Sequence, residues 1–286
     1  AMFATATLVA RRVEAPAADR GLALWLAAAA ELAFLALHAA TPARFEPVAF
    51  ALAALILCGA AGRLGWRGLA QTGVVGGLAA LATLFRPELL GATLEGQLSL
   101  PFFLAVAGAG SLMLFAGAKL IPGPHAFNRN EVEAQVTAAI LVLLTGLFVG
   151  LHVVLAGVQG HPATGVLFEG SLRTLLLLAA GLLLVSRQRA DDGPISRWRT
   201  ILLIGAGIVH GLVVQGLVWN PWWGQGLAPV GPPVANTLIL MFLAPAVLLV
   251  LSGWRRRPGD VWSRTWVAAG ALFAVLWAVM TLRHLF

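Results

Sequence analysis

Nine apolar stretches, each about 20 residues long and nearly free of charge, restrict this chain to very few architectures. At about 1.5 Å per residue, such a stretch crosses a hydrocarbon core roughly 30 Å thick. They run approximately over residues 21–40, 47–64, 68–85, 98–120, 132–156, 167–185, 200–218, 232–251 and 261–285. None alternates with the period of two that a barrel strand needs. The chain therefore reads as all-α: a polytopic helical membrane protein with about nine transmembrane helices. Composition agrees, since only 11% of residues are charged, against about 25% in a soluble domain. The net charge of +7 does not point to nucleic acid. No arginine-rich run is interleaved with aromatics, and excess arginine in such a chain first serves orientation.

That orientation follows from the connections. Of the 19 Lys and Arg residues, only Arg44, Arg86, Arg173 and Arg283 fall in one alternate set of connections, and the others fall in the opposite set. The positive-inside rule then places the basic set in the cytoplasm, with the start of the chain inside and Phe286 outside. The expected location is a bacterial inner membrane. The stretch 219–249 fits a span entered from the outer side: Trp219, Trp222 and Trp223 have rings suited to the bilayer boundary, and Pro232 and Pro233 suit a helix start. The opening AMFATATLVARR reads as the tail of an earlier segment, and LRHLF as a helix just ending. A piece of a longer chain is expected.

Internal similarity divides the sequence further. Phe45-Glu46 and Phe168-Glu169 open the second and sixth stretches, and Trp66-Arg67 and Trp198-Arg199 precede the third and seventh. Gly73, Gly77 and Pro87 recur in the same order as Gly207, Gly211 and Pro221. Phe148, Leu151 and His152 repeat the spacing of Phe34, Leu37 and His38. This order implies a repeat of about 130 residues. Residues 1–20 are then a cytoplasmic lead-in, 21–44 a leading helix, and 45–166 and 167–286 two four-helix repeats. Four spans per repeat make them parallel, related by an axis along the membrane normal.

The series NPWW, VGPPVANTLILMFLAPAVLL, a basic loop and a helix ending in LRHLF resembles a domain-of-unknown-function family of large bacterial multi-pass membrane proteins. The resemblance is best over residues 219–286 and weaker over 132–185. It implies many transmembrane helices and no assigned activity, substrate, cofactor or catalytic residue.

Few residues carry chemistry. Glu31 is the only acidic residue well inside a stretch, ~16 Å from Arg20, and His210 is ~18 Å from Trp198. Buried ionisable groups are costly, so the two are candidates for a functional pair if their helices are neighbours. The plainer reading is a protonated Glu31 bonded to a backbone carbonyl and a neutral His210 filling a gap. The outer side collects Glu46, Arg86, Glu169, Arg173, Asn220 and Trp222, with Glu88, Glu95 and His161 nearby. Glu169 and Arg173, four apart, suit a helical ion pair. No HxxxH or HxxE spacing places two metal ligands on one turn, and no Walker-type phosphate loop occurs. Neither metal nor cofactor is expected. The lone Cys58 excludes an intrachain disulfide. Gly73/Gly77, Gly146/Gly150 and Gly207/Gly211 suit close helix approach.

Three functions remain open. Transport of a small solute or lipid suits the repeat and the intramembrane pair. A membrane scaffold, joined by partner subunits or further helices of a longer chain, suits the same residues if they are inert. A cell-envelope enzyme acting on a lipid-linked substrate would use Glu46 or Glu169, but the outer connections are short. No nucleic acid partner is expected.

Overall fold

A computed structural model of the chain describes residues 5, 8–10, 19–121, 129–158, 162–189, 192–223, 229, 231–232, 236–256 and 259–285. These are helical almost throughout, and no strand occurs among them. The helices are α1 (Arg20–Ala40), α2 (Glu46–Leu64), α3 (Arg67–Leu84), α4 (Leu100–Leu120), α5 (Arg129–Val158), α6 (Pro162–Arg187), α7 (Pro194–Val209), α8 (Ala244–Arg255) and α9 (Val261–Leu285). Among the described residues, 7 helical spans are long and apolar enough to cross a membrane. Helix α3 and the segment after it, bent by 48°, add an eighth if they count as one.

The stretch after Pro232 departs from the sequence reading. Among the described residues its apolar helix covers Ile239–Arg255, and the chain turns into it at Asn236, whose Oδ1 accepts from the Leu238 N–H at 3.0 Å. Pro232 lies in a bend, and Pro233 falls outside the described residues. Asparagine is a strong N-cap, and its side chain supplies the acceptor that this helix start needs.

The chain forms two compact units, Ala1–Val153 and Val154–Phe286. In the first, Asp19 caps α1 by accepting from Leu22 N–H at 2.6 Å. Gly65, at φ +70°, ends α2 in the left-handed region that side chains avoid. Helix α2 packs on both α3 and α4. Its contact with α3 is close because α3 presents glycine: a Cβ on Gly73 would lie 2.7 Å from Cys58 Sγ. Ala51, Ala54, Phe103, Leu114 and Ala139 fill the core, and Ser111 Oγ donates to the Ala139 carbonyl at 2.9 Å, tying α4 to α5.

In the second unit α6 packs on both α7 and α8, and α8 on α9. Gly207 lies under Leu178 and Gly211 under Phe273. Leu178, Ile204, Phe242, Leu249, Trp266 and Phe273 form the core. Helix α7 does not stop at Val209. It continues as a π-helix over His210–Val218, and a second π segment, Ile239–Leu243, leads into α8. Helices α8 and α9 meet through Gly253 and Gly270, and Ser263 Oγ donates to the Gly253 carbonyl at 2.8 Å.

Candidate functional site

The π-helix creates the main polar cluster of the second unit. Hydrogen bonds in a π-helix join residues five apart, so side chains at that spacing share a face. The Trp219 N–H donates to Val214 O at 2.7 Å in this pattern. His210 and Gln215, also five apart, both turn to Thr174 on α6. His210 Nδ1 lies 2.8 Å from Thr174 Oγ1, and Gln215 Nε2 donates to the same oxygen at 3.1 Å. With Thr174 accepting from Gln215, its own proton is free to go to His210 Nδ1, which then carries its hydrogen on Nε2. The Trp219 ring stands edge-on to His210, 6.4 Å between centroids.

Gly170 makes room on α6, since a Cβ there would come within 2.8 Å of the Trp219 ring and 3.2 Å of Gln215 Nε2. Thr174 and Gln215 are fully buried. Two buried polar atoms here lack a partner among the described residues: Gln215 Oε1, an acceptor, and Arg173 Nε, a donor. Exchanging the amide's oxygen and nitrogen only moves the vacancy to the other atom. An orphaned buried polar atom costs roughly 1–3 kcal/mol, so such atoms mark where a further polar molecule fits.

His210 thus takes its polar contacts from its own unit. Glu31 is exposed along α1 and makes no hydrogen bond or ion pair among the described residues.

The remaining sequence candidates group as follows. Glu46, 2% exposed, accepts from Arg86 Nη1 on both carboxylate oxygens, at 2.6 and 2.7 Å. His38 Nδ1 is 3.1 Å from the same carboxylate, and Arg86 Nε reaches Glu88 at 3.4 Å. Glu169 is ion-paired with Arg173. Each carboxylate that an envelope enzyme would use is therefore held by an arginine. Asn220 is structural: its Nδ2 donates to Gly216 O at 2.8 Å, and its Oδ1 accepts from Trp222 N–H at 2.9 Å, closing the π-helix. Trp222 lies beneath Arg283, whose guanidinium is 4.6 Å from the ring centroid. His161 falls outside the described residues. Among the described residues, no group of three or more His, Cys, Asp or Glu side chains is placed to hold a metal ion.

Sequence reasoning missed Thr174 and Gln215. A period of 3.6 puts residues five apart on different faces, so only the π geometry pairs them. It also missed a network in the first unit, where buried Glu131 accepts from Arg67 Nε at 2.8 Å and from Gln71 Nε2 at 3.3 Å. One turn along α5, fully buried Gln135 has neither amide atom partnered among the described residues. A glutamate and a glutamine four apart at the start of an apolar run were the available signal.

Comparison with protein-family models, curated proteins and solved structures gave no match.

Proposed function

We propose that this is a multi-pass protein of the bacterial inner membrane, basic connections inward, that carries a small polar solute or proton through its second unit. The observation that supports it is the buried Thr174–His210–Gln215 cluster, in which Gln215 Oε1 has no partner among the described residues. Ionisable and polar groups deep in a span are costly and mark solute or proton paths. Helical irregularity at that depth is tolerated beside buried or water-filled sites, and π segments recur at functional sites.

The reading includes two copies of one four-helix unit, and matched packing supports it. Helix α2 packs on α3 and α4 as α6 packs on α7 and α8. The first glycine of each pair meets the preceding helix, Gly73 at Cys58 and Gly207 at Leu178. The second meets the last helix, Gly77 at Gln135 and Gly211 at Phe273. Membership of the multi-pass family that residues 219–286 resemble belongs to the same proposal and assigns no activity.

The test is water access. In a Cys58→Ser background, Gln215→Cys and Thr174→Cys should react in the folded protein with a small, charged thiol reagent. Proteoliposomes holding the unmodified protein should pass protons faster than empty ones, with His210→Gln abolishing the difference. Cysteines that react only after denaturation would mean a sealed, inert core and return the protein to a scaffold role.

A second reading rests on Glu31. A carboxylate facing hydrocarbon is disfavoured, and Leu24, Leu32 and Leu35 are exposed on the same helix. Lateral assembly with a partner helix carrying a cationic or hydrogen-bonding side chain would cover it. Leu35→Cys should then cross-link to another subunit in native membranes, and its failure to do so in the Cys58→Ser background removes this reading.

A further inference from the structure

At the arginine-rich end of the second unit lies a cavity of about 200 Å³ lined by Arg189, Arg197, Arg255 and Arg256, with Gln188 and Asp260. Among the described residues that line it are four arginines and one carboxylate, a net positive charge. The carboxylate is already engaged: Arg256 Nε donates to Asp260. Asp260 Oδ1 accepts from the Trp262 N–H at 3.1 Å. Burial raises the pKa of Asp260, but these two hydrogen bonds and the Arg256 charge outweigh it, and the net shift is downward. Asp260 is thus an anion that positions Arg256.

Arg256 is fixed from a second direction as well. Its guanidinium lies over the buried Trp266 ring, 4.9 Å from the centroid. Held this way, it leaves Nη1 buried without a partner among the described residues, and Gln188 Nε2 is in the same position. Both orphans are donors. Arg189 and Arg255 are exposed and make no ion pair among the described residues. A preorganised guanidinium, a second orphaned donor and further arginines around one cavity are what a multidentate oxyanion requires.

We propose that this cavity binds a phosphate group, using Arg256 and Gln188 as buried donors and Arg189 and Arg255 as outer clamps. Two sources share that chemistry: the headgroup of an anionic phospholipid, and soluble phosphate. Exposed Trp198 and Trp254 lie on the helices that form this end. Tryptophan settles at headgroup level, and basic pockets between transmembrane helices hold anionic headgroups. The site stands independently of the reading given to His210.

The experiment uses the full chain in neutral detergent. Thermal unfolding is followed while phosphatidylglycerol, phosphatidylcholine or inorganic phosphate is added, because a ligand that binds only the folded state raises the midpoint. Apparent affinity is compared with Arg189→Gln/Arg255→Gln, two exposed positions whose change spares the packing of Arg256 on Trp266. Phosphatidylglycerol should raise the midpoint while phosphatidylcholine does not, and the double variant should bind at least about tenfold more weakly, the loss of one or more charge-assisted hydrogen bonds. Stabilisation by inorganic phosphate alone, with the same loss in the variant, supports the site and assigns it to a soluble anion. Equal stabilisation by the two lipids, no stabilisation by any of the three, or an unchanged affinity in the double variant overturns the proposal.

Discussion

Replacing Gly211 with alanine tests the packing that carries the polar cluster. A Cβ there would lie 2.6 Å from Phe273 Cζ, 2.8 Å from Cε1 and 3.3 Å from Thr174 Cγ2. Carbon atoms rest at about 3.5–4.0 Å, so the ring would have to withdraw by about 1 Å. It has nowhere to go, being fully buried and tilted against Phe242 at 6.3 Å. Overpacking of this kind costs about 1–3 kcal/mol, and the strain falls partly on Thr174. Gly205 is the control, since a Cβ there meets nothing within 4 Å. Gly205→Ala should be neutral or stabilising by up to ~1 kcal/mol from helix propensity. Unfolding by sodium dodecyl sulfate in mixed micelles, followed by far-UV circular dichroism, measures both. The double-mutant cycle with Phe273→Leu isolates the contact, which should couple by roughly 1 kcal/mol or more. Gly211→Ala within about 0.5 kcal/mol of the parent, the ordinary range for a harmless substitution, would refute the reasoning. So would a penalty that Phe273→Leu leaves unchanged.

Three further outcomes are expected. Ser186→Cys in a Cys58→Ser background, exposed beside Arg187, should resist an impermeant maleimide in intact cells and react after permeabilisation; prompt labelling reverses the proposed orientation. Asp260 has a folded-state pKa below its usual 3.8, so its stabilising contribution is full above about pH 4 and is lost as pH falls through the lowered value. Asp260→Asn should therefore flatten the acid limb of a thermal-stability profile, and an unchanged limb would show that Arg256 gains nothing from the carboxylate. Arg86→Gln should destabilise the protein by stranding the buried Glu46 carboxylate, and Glu46→Gln added to it should recover part of the loss. If Arg86→Gln alone is silent, that ion pair does not hold the first unit together.

The helical fold was legible because a hydrocarbon solvent leaves the backbone no external partner, so long apolar runs have one simple solution. Hydropathy locates such runs along the chain but not around the helix. Helix α1 is alanine- and leucine-rich on every side, so nothing in its sequence showed that Glu31 would lie on the exposed face. The turn into the helix of residues 239–255 was readable in Asn236, a residue type whose side chain caps helix starts. The pairing of Glu169 with Arg173 was readable because it obeys α spacing. That of His210 with Gln215 was not, because it exists only where the helix widens.

The widened segment His210–Val218 also changes how the chain should respond to altered length. Each π bond closes over one residue more than an α bond does, so this stretch already accommodates a surplus residue. Deleting one residue there can be absorbed by reversion to α geometry, leaving the helix on either side in phase. The same deletion in the middle of α4 has no such reserve. It would turn everything beyond it by about 100°, carrying Leu114 out of the core and bringing exposed Leu112 towards it. The segment that joins His210 to Gln215 is, on this view, a place where the membrane-spanning chain can lose a residue without losing its register.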